Sequence, residues 1–157
     1  MNQAIDPLLY ELGRDALFGL SMMAVVLTFN GMCFTRVLFW YRKMAARTSS
    51  ETNLGAIFLF VTSVLMLAIV QLCAILIWAV ALFHNDLIPT RSMAILFSGS
   101  CYTTIGVFSD LLPQGWKSLA LFIAFSGLFS FAWATSIMMS MANAFTQAWD
   151  KSNTPKK

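Results

Sequence analysis

Charged side chains are scarce in this chain. Lys, Arg, Asp and Glu make up 11% of its 157 residues, whereas a water-soluble domain carries about 25%. The seventeen charged residues are too few to cover a soluble surface, so we expect much of the surface to contact lipid. The same scarcity excludes a soluble ligand-binding domain and argues against nucleic-acid binding, which needs a basic soluble surface.

Patterns that support catalysis or metal binding are also missing. The chain has one histidine and three cysteines, and it contains no His/Glu metal spacing, nucleophile elbow or phosphate-binding glycine loop. Cys33, Cys73 and Cys101 fall in apolar surroundings, which is typical of buried thiols. No helix repeats Arg or Lys at every third position, which excludes a voltage sensor. We expect neither an enzyme nor a resident cofactor.

What the chain does have is long uncharged runs. Residues 16–35, 54–83 and 118–149 carry no charge, and each run is long enough, at about 1.5 Å per residue, to cross the ~30 Å hydrocarbon core. The pattern predicts an all-α integral membrane protein with three transmembrane helices. The predicted parts are an outer segment at 1–15, a membrane domain at 16–149 with helices at 16–41, 54–83 and 116–149, and a cytoplasmic tail at 150–157.

Between the second and third runs lies a segment of mixed character. Pro89 and Thr90 predict a helix start, and residues 91–102 predict a helix of about 18 Å, too short to cross a bilayer. Residues 103–107 are rich in β-branched side chains, with one glycine, and favour extended backbone. The sequence therefore predicts a re-entrant pore helix at 90–102 followed by an extended loop at 103–110.

Two basic clusters indicate the topology. Arg42, Lys43 and Arg47 precede the second run, and Lys151 with the two C-terminal lysines follows the third. Three spans place both clusters on one side, the cytoplasmic side by the positive-inside rule, whereas four spans would separate them. The N-terminus then lies outside a plasma (inner) membrane. Because irregular backbone at membrane depth must be buried in protein or line water, so small a chain is expected to oligomerise.

Three stretches, in order, carry a family resemblance. Residues 96–106, Leu-Phe-Ser-Gly-Ser-Cys-Tyr-Thr-Thr-Ile-Gly, resemble the pore helix and filter entry of potassium-channel-type pore domains, above all small bacterial members without a voltage sensor. Residues 110–113, Asp-Leu-Leu-Pro, are similar to the Asp-x-x-Pro that follows many such filters. Residues 127–135 resemble the inner helix. The likeness covers residues 89–148 and implies a symmetric homotetramer in lipid.

The outer half of the motif departs from that family. Val107, Phe108 and Ser109 stand where Tyr-Gly is usual, with one extra residue before Asp110. Filters replace an ion's hydration shell with oxygens, and glycine permits the backbone angles that align them. The resemblance therefore implies a channel that passes K⁺ and Na⁺ by passive diffusion with weak selectivity.

The resemblance assigns a role to each candidate residue. The filter comprises Thr103, Thr104, Ile105, Gly106 and Val107, with the monovalent cation held at Thr104, Ile105 and Gly106. The outer mouth comprises Phe108, Ser109 and Asp110, and the alternative for Asp110 is a solvated loop carboxylate. The pore lining or gate comprises Gly127, Phe131, Thr135 and Met139; the alternatives are packing or lipid contact for Phe131 and Met139 and a bond to its own helix backbone for Thr135. Asn30 and Gln71, polar residues inside the apolar runs, are interpreted as helix–helix contacts.

Two other functions fit parts of the pattern. A non-conducting membrane protein that kept the pore-domain fold, acting as a regulatory or partner subunit, would explain the altered filter. A small transporter with a broken helix at the midplane is a further alternative, although such folds contain paired halves and this chain shows no internal repeat.

Overall fold

Four helices make up the architecture. The computed structural model describes residues 5–47, 53–106, 112–113 and 116–153. Within them, the helices are α1 (Ile5–Arg47), α2 (Asn53–His84), α3 (Arg91–Tyr102) and α4 (Leu119–Asn153). Three segments are long and apolar enough to cross a membrane, Gly13–Arg47, Leu54–His84 and Leu119–Gln147, which fits a multi-pass membrane protein.

The first helix is longer than the sequence predicted. It begins at Ile5 and runs without a break to Arg47, so the segment assigned to 1–15 is largely the first turns of α1 rather than a separate element. Pro7 lies in the first turn, where a missing N–H costs nothing because that N–H has no helical partner. Asp15 is buried at this end of the bundle.

The other boundaries lie close to the predicted ones. α2 matches 54–83 within one residue, and α3 begins at Arg91 after Thr90, whose extended backbone (φ −126°, ψ 137°) marks the N-cap. The backbone carbonyl of Thr90 accepts the first bond, from Ala94 N at 3.0 Å. α4 begins at Leu119 after a turn, and it continues to Asn153, into the segment predicted as tail.

Ring contacts fix how the long helices run. Phe18 of α1 packs edge-on against Trp116, just before α4, with centroids 5.8 Å apart, and Tyr41 near the end of α1 donates to the Met141 carbonyl at 3.1 Å. α1 and α4 are therefore parallel. α2 runs antiparallel to them, because Phe60 near its start packs against Phe145 near the end of α4.

The core has two apolar clusters with a polar layer between them. One cluster, around Trp78, Phe97 and Ile123, lies at the α3 end. The other, around Phe34, Leu67 and Met141, lies beyond the tip of α3. The short helix α3 thus extends along only half the length of the bundle. Its C-terminus lies at the polar layer that separates the two clusters.

Candidate functional site: the tip of the short helix

Each of the four helices contributes one polar side chain to the buried layer. Asn30 Nδ2 donates to Ser130 Oγ at 2.6 Å and to the Tyr102 hydroxyl at 3.2 Å. The Tyr102 hydroxyl donates in turn to Gln71 Oε1 at 2.6 Å. Asn30, Tyr102 and Ser130 are fully buried and Gln71 is 7% exposed. Since buried polar groups are costly without partners, these bonds hold the end of α3 at one depth.

That depth is close to the middle of all three long helices. Asn30 is seventeen residues from each end of the apolar segment Gly13–Arg47, and Gln71 and Ser130 lie within three residues of the midpoints of their segments. Tyr102, which contacts all three, is the last residue of α3. The short helix therefore begins beside the end of α2, where Arg91 stacks on Phe83 at 5.2 Å, and ends halfway along the bundle.

Gly127 of α4 lies against the last carbonyl of α3. A Cβ at this position would overlap the Tyr102 carbonyl oxygen and would approach the Tyr102 carbonyl carbon to 2.9 Å. Only a residue without a side chain permits this distance between the two backbones. Gly127, which the resemblance assigned to the pore lining or gate, is thus a buried contact between α3 and α4.

After Tyr102 the backbone turns back on α3. Thr103 N donates to Gly99 O at 3.0 Å, Thr104 N to Cys101 O at 2.9 Å, and Ile105 N to Ser100 O at 2.8 Å. With Thr104 at φ 62°, this is a Schellman motif, in which a left-handed residue lets the chain cap the last helical carbonyls. The prediction of extended backbone from residue 103 is therefore wrong for Thr103 and Thr104, because the helix end requires a turn there.

The end of α2 is capped in the same way and provides a comparison. Asp86 N donates to Phe83 O and Leu87 N to Leu82 O, with Asp86 at φ 53°. There the following residue, Leu87, is 7% exposed, as is usual for the apolar residue of this motif. At the end of α3 the equivalent residue, Ile105, is 68% exposed.

Thr104 is therefore unusual in two respects. A β-branched residue at positive φ is an outlier that costs of order 1–3 kcal/mol, and such strain clusters at functional sites. Aspartate tolerates the left-handed region better than threonine does, and Leu87 adds burial at the other cap. Within the described chain, no comparable burial of Ile105 compensates for the strain at Thr104.

The exposed segment 103–106 also presents free backbone oxygens. Among the described residues, backbone bonds use the N–H groups of all four of these residues but none of their carbonyl oxygens. The hydroxyl of Thr103 donates to Gly99 O at 2.7 Å. Gly106 has φ 69° with open space around it. The tip of α3 therefore carries a row of four exposed residues, 103–106, whose carbonyl oxygens accept no backbone bond from the described part of the chain.

The remaining predicted residues lie apart from this row or outside the described residues. Val107, Phe108, Ser109 and Asp110 belong to the latter group. Phe131 packs on the Tyr102 ring with centroids 5.7 Å apart, and the Thr135 hydroxyl donates to the Phe131 carbonyl at 2.8 Å. Phe131, Thr135 and Met139 are all exposed on one face of α4.

Sequence reasoning found two members of the polar layer but not its centre. The helix–helix interpretation of Asn30 and Gln71 is confirmed by their bonds to Tyr102. Tyr102 carried no assigned role, because a tyrosine in an apolar segment has no distinctive spacing. The available signal was that each of the first two uncharged runs contains one amide side chain. Within the described part of the chain, no group of three His, Cys, Asp or Glu could hold a metal ion.

The Asn30–Ser130 bond is expected to stabilise the fold measurably. We expect a double-mutant cycle of Asn30→Ala and Ser130→Ala, followed by unfolding in detergent micelles, to give a coupling energy of about 0.6–1.7 kcal/mol. The same cycle between Asn30 and the exposed Thr135 serves as the control and should give about zero. Equal coupling in both cycles would contradict a specific bond in the layer.

Comparison of the chain with protein-family models, with curated proteins and with solved structures gave no match.

Proposed function

We propose that several copies of this chain, four by the resemblance of residues 89–148, assemble into a membrane channel that passes K⁺ and Na⁺ by passive diffusion. The observation that carries the proposal is the conformation of Thr104. Hydrogen bonds of the helix cap accompany its left-handed backbone, but Ile105 beside it stays exposed among the described residues. Contacts with other copies around a shared axis would supply the missing burial.

The depth of α3 supports a half-inserted helix. The apolar segments of α1, α2 and α4 contain 35, 31 and 29 residues, which is about 44–52 Å at 1.5 Å per residue. In a bilayer centred on the polar layer, α3 enters from one face and ends near the midplane. The non-helical segment 103–106 is then at a depth where exposure to lipid is not tolerated, so it must meet water or another chain.

The charges at the tip favour cations. The C-terminus of a helix carries a partial negative charge of about −0.5, and α3 directs this end toward the middle of the bundle. The carbonyl oxygens of 103–106, which accept no backbone bond from the described residues, lie beside it. Such oxygens replace the hydration shell of K⁺ or Na⁺ in a filter. Thr104, Ile105 and Gly106 are the proposed cation ligands.

The wall of the proposed pore comes from α4. Phe131, Thr135 and Met139 are spaced by four residues and exposed on one face, so they would face the axis below the filter or gate it. Gly127 takes no part in the lining, because it is buried against α3. Its contact instead couples any movement of α4 to the tip of α3.

The charge pattern supports one orientation. Arg42, Lys43 and Arg47 of α1 and Lys151 of α4 lie at the same end of the bundle, because α1 and α4 are parallel. By the positive-inside rule this end is cytoplasmic. The start of α3 then faces the outside of the plasma membrane, and ions would enter the filter from there.

Bi-ionic reversal potentials of the reconstituted protein test the proposal through Thr104→Gly. Glycine relieves the left-handed strain and removes the hydroxyl, so we expect a changed K⁺/Na⁺ permeability ratio, by about twofold or more (~0.4 kcal/mol). The matched control is Asp86→Gly, which relieves the same conformation at the end of α2 and should leave the ratio unchanged. If the protein conducts cations and Thr104→Gly leaves the K⁺/Na⁺ permeability ratio unchanged, the filter does not include Thr104.

The turn at 103–104 favours a second candidate, a non-conducting partner subunit with the same fold. Because Thr103, Thr104 and Ile105 donate their N–H groups to α3, the segment is a compact helix cap rather than a strand along an axis. A homo-oligomer that carries no cation current in planar bilayers under any ionic condition would favour this candidate over a channel.

A further inference from the structure

A groove on the outer surface of the bundle runs along α1 beside Trp133 of α4, from the level of the polar layer toward the end of the bundle away from α3. Its volume is about 540 Å³, it is open to the outside along its length, and it is lined mainly by apolar side chains, among them Leu27, Met32, Phe39 and Trp133. Met32 is 52% and Phe39 66% exposed. An apolar groove of this kind on a transmembrane helix pair suits an acyl chain.

Gly31 forms the floor of the groove together with Trp133. A Cβ on Gly31 would come within 2.6 Å of the Trp133 ring, so the absence of a side chain lets the indole lie directly against the α1 backbone. Phe34 supports the indole from the interior by an edge-on contact at 6.2 Å. The groove is therefore a fixed feature of the α1–α4 packing.

Arg36 is the charged residue at the rim of this groove. Within the described residues it makes no ion pair and no ring contact. The two threonines that also line the groove are neutral and cannot balance the charge of the guanidinium. The hydroxyl of Thr28 donates to Ala24 O and that of Thr35 to Gly31 O, both at 2.7 Å. Arg36 is the one charged residue between residues 16 and 41, and a guanidinium within a membrane segment is costly without an anionic partner.

The depth of Arg36 indicates where that partner comes from. Arg36 lies six residues, or about 9 Å, from Asn30 in the polar layer, and as far from Arg42. In a bilayer centred on the polar layer, with a hydrocarbon half-thickness of about 15 Å, its Cα would lie about 6 Å inside the boundary, within reach of lipid phosphates.

A second copy of the chain offers no such charge. No Asp or Glu occurs between residues 16 and 50 or between 111 and 149, so a copy in the same orientation presents no carboxylate at this level of α1 or α4. Asp15 is twenty-one residues away on α1, about 31 Å along the helix.

We propose that this groove binds an anionic phospholipid, with the phosphate paired to Arg36 and one acyl chain lying over Leu27, Met32 and Trp133. A guanidinium binds phosphate oxygens through two parallel hydrogen bonds, and the apolar lining receives the chain. The site is independent of the tip of α3 and of ion conduction.

Native mass spectrometry of the purified oligomer with equal phosphatidylglycerol and phosphatidylcholine tests the proposal. We expect the wild type to retain phosphatidylglycerol preferentially and Arg36→Gln to retain about tenfold less, which corresponds to ~1.4 kcal/mol. The matched control is Arg47→Gln, which removes the same charge from an exposed position at the end of the same helix. Equal losses of bound phosphatidylglycerol in the two variants would mean that any positive charge on this helix attracts the lipid, and the proposed site would be wrong.

A variant that keeps Arg36 separates the groove from the charge. Thr28 is exposed at the groove, so Thr28→Trp should fill it and lower phosphatidylglycerol retention without altering the fold. If Arg36→Gln does not fold, the Thr28→Trp variant still tests whether the groove binds the lipid. If Thr28→Trp changes the number of copies in the oligomer and leaves phosphatidylglycerol bound, the groove is a contact between copies and the lipid proposal is wrong.

Discussion

Replacing Gly127 with alanine is expected to destabilise the protein by about 1–3 kcal/mol, the usual cost of forcing extra volume into a packed interior. The new methyl group would overlap the Tyr102 carbonyl oxygen, a backbone atom that cannot rotate away as a side chain does. α4 must then move away from α3. Because Tyr102 also carries the bonds of the polar layer, the displacement should loosen that layer as well.

Gly99→Ala is the matched control for this substitution. A Cβ on Gly99 of α3 would meet Ile75 Cγ2 at 3.7 Å, an ordinary van der Waals distance. Alanine is favoured over glycine in a helix by up to about 1 kcal/mol, so this variant should be neutral or slightly more stable. Unfolding in detergent micelles measures both changes. Equal stability of the two variants would contradict the close approach at Gly127.

The second large effect is expected at Tyr102. Truncation to alanine should cost about 3–5 kcal/mol, as for other large buried aromatic residues, because the ring is fully buried where the tip of α3 meets the other helices. Tyr102→Phe keeps the ring but removes the hydroxyl that links Gln71 and Asn30. Interhelical hydrogen bonds in membranes average ~0.6 and reach ~1.7 kcal/mol, so this variant should lose about 1 kcal/mol.

Leu96→Ala on the same helix calibrates these values. Leu96 is 57% exposed, and substitutions of exposed residues change stability by about 0.5 kcal/mol or less. A loss at Leu96 as large as that at Tyr102 would mean that α3 is not held by its buried tip. If the tip forms a filter, Tyr102→Ala should also abolish cation current, whereas Tyr102→Phe should retain part of it.

The sequence was most informative where a pattern is long. An uncharged apolar run of twenty residues or more is typical of a membrane-spanning helix. Both ends of the second helix were predicted within one residue. The short helix 91–102 was also predicted, because Pro89 and Thr90 mark its start and the β-branched run marks its end. The first and last helices extend further than predicted, since polar residues at their ends are compatible with helix and end a hydropathy run without ending the helix.

The conformation after Tyr102 was not predictable from composition. The β-branched residues Thr103, Thr104 and Ile105 favour extended backbone. The last carbonyls of α3 need hydrogen-bond donors, however, and Thr103 and Thr104 therefore adopt the turn that supplies them. The polar layer was only half predicted for a related reason. An amide side chain in an apolar helix, such as Asn30 or Gln71, indicates that a hydrogen-bond partner is present. Sequence spacing does not show which side chain of another helix lies at the same depth.

By itself, then, the sequence determined that this protein consists of apolar helices, that three of them are long enough to span a bilayer, and that one is too short. Those properties follow from hydropathy and length, which each segment carries independently of the others. Only the tertiary structure decided that the short helix ends at the middle of the bundle, that Tyr102 and Gly127 fix it there, and that Arg36 lies at the rim of an apolar groove. These depend on which residues of separate helices share a depth, and packing alone sets that register.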